Sequence, residues 1–152
     1  MSPEEKLESL GYSVPEVPAP LAAYVPGAVT GNLLYTSGQL PTVKGELNHV
    51  GQVGKDLTEE QGYEAARISC LNCLGVIKSH LGDLSRVRRI VKVTGFVSST
   101  PEFTGHPAVI NGTSELLGEI FGEAGAHARA AVGVSALPKG AAVEVEMIVE
   151  FE

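Results

Sequence analysis

The sequence predicts an α+β domain in which one sheet carries two helices on one face. Three observations predict it. From Ala130 to Ala136 and again from Val143 to Phe151, apolar residues fall on alternate positions, the period of a half-buried strand. Ile68, Leu71, Leu74, Ile77 and Leu81 instead recur at three- and four-residue steps, and Val109, Leu116, Leu117, Ile120 and Phe121 mark a second helical stretch. In chain order the elements read β-β-α-β-α-β-β. With 152 residues, 43% of them hydrophobic, residues 1–152 suit a single domain able to bury a core.

A short helix from Pro3 to Leu10 comes first. It opens a leader of residues 1–20 in which Pro15, Pro18 and Pro20, with Pro26 beyond it, discourage regular structure, and this leader is expected to wrap the domain. Strands near Ala28 and at Leu33 to Ser37 flank the turn residues Thr30, Gly31 and Asn32, and a glycine-rich stretch with Gly45, Gly51 and Gly54 follows. Thr58 and Gln61 form a capping box that starts the long helix, and Gly82 stops it. Arg86 to Ser99 supplies a strand with Ile90, Val91, Val93, Phe96 and Val97. The second helix spans about His106 to Gly122, with Pro107 suited to its first turn.

Pro138 and Gly140 separate the last two strands, which read as an antiparallel hairpin. On that reading Ala130, Val132, Val134 and Ala136 join Val143, Val145, Met147, Val149 and Phe151 on the face under the helices. Arg129, Ala131, Gly133 and Ser135 would then lie beside Glu144, Glu146 and Glu150 on the other face. Small side chains there would leave open volume, with a guanidinium at one end to hold an anionic group in bidentate geometry. The alternative is an Arg129 paired with a cross-strand glutamate. Either way, a sheet covered on one face only needs a partner or a ligand on the other.

Composition narrows the classes. Eleven Lys and Arg against 18 Asp and Glu give a formal charge of −7 and a pI near 5.1, which leaves little cationic surface for phosphate backbones. No nucleic-acid partner is expected. No apolar run approaches a membrane span, and the acidic N-terminus lacks a signal core, so the expected location is the cytoplasm. Cys70 and Cys73 have C-x-x-C spacing but fall mid-helix, away from a helix N-terminus and without further ligands nearby, so they read as reduced core thiols. His49, His80, His106 and His127 show no HxxxH or HxH pairing, which predicts no metal site; His127, two residues before Arg129 on the same strand face, could tune the cleft or contact substrate, but reads first as a solvent-exposed strand residue.

The run Ala128, Arg129, Val132, Val134, Leu137, Pro138, Lys139, Val143, Glu144, Val145, Glu146 resembles the C-terminal signature of the reactive intermediate deaminase (Rid) family, also called the YjgF family. Gly31 to Pro41, with Tyr24 before it, resembles that family's first hairpin, and Leu57 to Gln61 with Ala65 and Ala66 resembles its helix start. The resemblance implies a chorismate-mutase-like fold with one mixed sheet, a homotrimer, and clefts between subunits. It also implies an enamine/imine deaminase that hydrolyses reactive 2-imino acids to 2-keto acids and ammonia without a cofactor. By the same resemblance Arg129 grips the substrate carboxylate and Glu144 orients or deprotonates the attacking water. Tyr24 closes over the ligand, Asn111 lies at the cleft, and Ser37 and Gly38 offer it donors. This chain departs from the pattern at Ala131, where many members have cysteine, at Ser114, where tyrosine is common, and at Ala22 and Ala23, where many have Gly-Pro. Two other functions stay open: a noncatalytic trimer that binds a small carboxylate such as a keto acid, and an endoribonuclease or translation inhibitor.

Overall fold

The structure, a computed structural model, describes residues 1–17 and 23–152; Pro18, Pro20 and Ala22 lie outside the described residues. The chain runs through α1 (Pro3–Ser9), β1 (Gly27–Thr30), β2 (Leu33–Thr36), a small ribbon of β3 (Thr42–Val43) and β4 (Glu46–Leu47), and α2 (Glu59–Leu81). It continues with β5 (Val87–Ser98), α3 (His106–Phe121), β6 (Ala128–Val134) and β7 (Val143–Phe151). The main sheet has the order β1-β2-β7-β5-β6, with β5 and β6 parallel and all other pairs antiparallel. Helices α2 and α3 cover one face, as expected.

Local signals set the helix ends. Thr58 accepts from the Gln61 N–H and Gln61 accepts from the Thr58 N–H, so both halves of the capping box form. Gly82, with φ +83°, closes α2 in a conformation that side chains resist. Pro107 occupies the first turn of α3. The core beneath the helices is built from Leu74, Ile77, Ile110, Leu116 and Leu117 packed on Val93, Val97, Val143, Val145 and Met147, all buried. Cys70 and Cys73 are both buried and unpaired.

Two expectations about the last strands fail. β6 and β7 do not form a hairpin: β5 lies between them. The chain leaves β5, crosses the sheet as α3 and returns as β6, and such a crossover delivers a parallel neighbour. β7 then takes the centre of the sheet, between β2 and β5. The faces of β6 are also reversed. Val93, Gly95 and Val97 pair with Arg129, Ala131 and Gly133 on one side and with Met147, Val145 and Val143 on the other, so the row containing Arg129 faces the helices. Val132, expected inside, is 43% exposed. Alternation fixes which residues share a face but not which face is covered. The small residues on this row admit α3 rather than leaving space: a Cβ on Gly95 would run into Ile110, and one on Gly133 into His106.

Residues 1–15 of the leader dock on the helix layer. Leu7 is fully buried, Tyr12 and Val14 pack on the core, and the carbonyl of Pro15 comes so close to Gly75 that a Cβ there would lie 2.6 Å away.

Candidate functional site

Helix α3 brings Asn111 and Ser114, one helical turn apart, onto the same flank above β6. Below them Arg129 Nη1 donates to Asn111 Oδ1 at 2.8 Å and to Ser114 Oγ at 3.1 Å. Ser114 is bonded in turn to His127 Nε2 at 2.8 Å, and His127 Nδ1 to the Gly125 carbonyl at 2.6 Å. No carboxylate pairs with Arg129 among the described residues. The cross-strand arginine–glutamate pair exists instead at Arg89 and Glu150, 3.1 Å apart. Arg129 is thus a half-buried cation steadied by neutral groups, an arrangement suited to an anionic ligand.

A second cluster forms on the other face. Glu144 alternates with the inward-facing Val143 and Val145, so it projects away from the helices, opposite Arg129. Its carboxylate lies over Gly38, where a Cβ would stand 2.8 Å from its Cδ. Burial, and secondarily the charge of Glu146, raise the Glu144 pKa, which moves it toward the range of a general base working near neutrality. Ser37 is less available than expected: its hydroxyl donates to the Val25 carbonyl at 2.6 Å and its N–H to the Pro26 carbonyl at 2.7 Å. Tyr24 is 66% exposed.

Apart from the exposed Tyr24, the predicted residues therefore fall into two groups, Arg129 with Asn111 and Glu144 with Gly38 and its chain neighbour Ser37, on opposite faces of one sheet. His127, expected to be solvent-exposed, is partly buried as the third link of the arginine cluster, and Ser114 is the second. Sequence reasoning singled out Ser114 only as a departure from the family pattern and ranked a cleft role for His127 below an exposed strand position. Their faint signal is the polar Asn111–Ser114 pair at helical spacing. A cavity of about 670 Å³ between the leader and α2, lined by Tyr12, Val14, Ile68 and Asn72, reaches neither group.

A family model described as YjgF/chorismate mutase-like, "putative endoribonuclease", matches residues 4–151, nearly the whole chain. The chain belongs to the YjgF family. Among YjgF relatives it is similar to Protein TCP17 of Trypanosoma cruzi, with 46% identity over 95% of this chain and 91% of that one. The 2-iminobutanoate/2-iminopropanoate deaminase of Escherichia coli K12 is 33% identical over 86% and 89% of the two chains. A crystal structure of a protein of unknown function from Agrobacterium tumefaciens superposes with a TM-score of 0.94 at 45% identity, covering 99% of this chain and 92% of that one. The chorismate-mutase-like fold of the YjgF proteins thus accounts for the mixed sheet with helices on one face.

Proposed function

We propose that this YjgF protein is a deaminase that hydrolyses 2-imino acids to 2-keto acids and ammonia. The observation that carries this reading is Arg129: a cation in a cluster of neutral hydrogen-bonding groups, without an acidic partner among the described residues. It holds the substrate carboxylate. Water then adds through oxygen to the imine carbon, the carbon–nitrogen bond breaks, nitrogen leaves as ammonia, and the carbonyl of the keto acid remains. Glu144 takes a proton from that water and returns it to the departing nitrogen, which gains its last proton as the new hydroxyl becomes the carbonyl; the raised pKa of Glu144 supports the role. Gly38 contributes its backbone N–H and Tyr24 covers the ligand. Positioning and electrostatics suffice for a reaction of this intrinsic ease. The similarity to the Escherichia coli deaminase supports the same chemistry.

Because Arg129 and Glu144 occupy opposite faces, one chain does not bring both to one ligand. We therefore propose a homotrimer in which the Glu144 face of one subunit closes over the Arg129 cluster of the next. Tyr35 and Val132, 42% and 43% exposed on the uncovered face, suit such a contact. Among the described residues no helix is long and apolar enough to cross a membrane, and two buried free thiols suit a reducing cytoplasm.

The same separation favours one second reading, a noncatalytic trimer that binds a keto acid at Arg129 alone. Imino acids generated by an amino-acid oxidase, with keto acid and ammonia followed for wild type and Arg129→Ala, decide between them. Accelerated decay by wild type and not by the variant supports the deaminase. Decay at the uncatalysed rate, with pyruvate still raising the wild-type Tm, supports the binding protein. Light scattering reads the subunit number.

A further inference from the structure

A guanidinium has five N–H hydrogens. Arg129 spends both hydrogens of Nη1, one on Asn111 Oδ1 and one on Ser114 Oγ. The three on Nε and Nη2 have no partner among the described residues, and these two nitrogens form the edge that matches the two oxygens of a carboxylate. What keeps Ser114 an acceptor is His127. The Gly125 carbonyl can only accept, so the His127 tautomer that satisfies it carries the proton on Nδ1 and presents a lone pair at Nε2. Ser114 must send its own hydrogen there, which leaves its oxygen to receive Nη1. Donation runs one way, from Arg129 to Ser114 to His127 to the backbone, and such chains polarise each link in turn.

The geometry points to Ser114 and His127 as positioning residues of the carboxylate site: with Asn111 they pin the Nη1 corner of Arg129, so that a 2-imino or 2-keto acid docks side-on at the Nε/Nη2 edge. This rests on the carboxylate reading of Arg129. A pinned guanidinium meets its ligand already oriented, and affinity gained this way comes from order lost in advance rather than from a new contact. The ligand touches neither Ser114 nor His127; both act through Arg129.

Nitrogen-15 spectra of the full-length protein test the pin without any ligand, with the Arg129 signals assigned through Arg129→Ala. A guanidinium held at Nη1 turns slowly about its Cζ–Nε bond and gives two resolved Nη signals; a released one gives a single averaged signal. Wild type is expected to show two, Ser114→Ala and His127→Ala one, and Ser114→Thr, which keeps the hydroxyl, two. For 2-imino acid hydrolysis, the two alanine variants should raise KM about tenfold with little change in kcat, in line with the loss of one bond to a charged group. Ser114→Ala should add nothing in an Arg129→Ala background. An averaged wild-type signal, or alanine variants with wild-type spectra and KM, overturns the assignment. If the spectra behave as expected but wild type neither hydrolyses imino acids nor binds pyruvate, the pin stands and the carboxylate reading of the site falls.

Discussion

Replacing Gly38 by alanine tests whether Glu144 acts from the place it occupies. The added Cβ would sit 2.8 Å from Cδ, 2.9 Å from Oε1 and 3.0 Å from Cγ of Glu144. Carbon atoms in contact settle at about 3.5 Å or more, so the carboxylate must retreat by roughly 0.7 Å. It is the free end of a flexible side chain, and Gly38 does not have a positive φ, so the backbone tolerates the change. Stability should change by less than about 1 kcal/mol, since an off-rotamer side chain costs about that much and alanine restricts the unfolded chain in compensation. Turnover is another matter. A misplacement of this size in a group that handles the attacking water costs up to about 100-fold in rate, equivalent to ~2.7 kcal/mol of barrier. Imine decay with Gly38→Ala should therefore slow strongly, while pyruvate binding and Tm stay near wild type. Wild-type kcat in this variant would refute a role for Glu144 that depends on its position, and a Tm drop of many degrees would refute the local account of the clash.

Four further outcomes follow from packing and burial. Gly112→Ala drives a Cβ into the Tyr63 carbonyl where α2 and α3 come closest, and backbone cannot retreat as a side chain can; the urea midpoint should fall by the equivalent of ~3 kcal/mol, the upper end for overpacking. Leu7→Ala, which empties a fully buried site in the leader, should cost ~2–5 kcal/mol in the same titration, whereas a leader merely lying on the surface would cost almost nothing. Burial raises the pKa of both thiols, Cys73 to about 12, above the ordinary 9.0 that the unfolded chain restores. The folded thiols stay protonated while the unfolded ones ionise, so their contribution is full below pH 9, is lost as pH rises toward 12, and should be flatter in Cys70→Ala/Cys73→Ala. Ellman's reagent should find no reactive thiol in the native protein at pH 8.

Much of the fold was legible because its signals are local. The capping box at Thr58, the stop at Gly82 and Pro107 in a first turn each act within a few residues, and each stands where the sequence put it. The pairing of β6 was not legible. A strand that follows a helix can return beside its predecessor or fold against its successor, and Pro138 with Gly140 suited a hairpin; what decides is that β7 pairs with β2, more than a hundred residues earlier, and with β5, which leaves β6 at the edge on the far side of β5. The face of β6 was misread for a related reason. Ala130, Val132 and Val134 look like a core row, yet the true inner row is Arg129, Ala131 and Gly133, small because a helix presses on it. Within the site, resemblance pointed to Arg129 and Asn111, which do meet. The link between Ser114 and His127 stayed hidden because they join across a helix end and a turn, and their separation has no period to read.

The central position of β7 bears on how the molecule comes into being. The strand that completes the sheet is the last element of the chain, and it inserts between β2, more than a hundred residues earlier, and β5. During synthesis β5, α3 and β6 emerge as a neighbouring unit whose partners are close in sequence, and such contacts close quickly. Until β7 arrives, β2 and β5 each present an open edge, and Val93 and Val97 lack Met147 and Val143 beside them, the surface on which nascent chains aggregate. The cluster around Arg129 belongs to the early unit and Glu144 to the late strand, so the two halves of the site are separated in time as well as by the sheet.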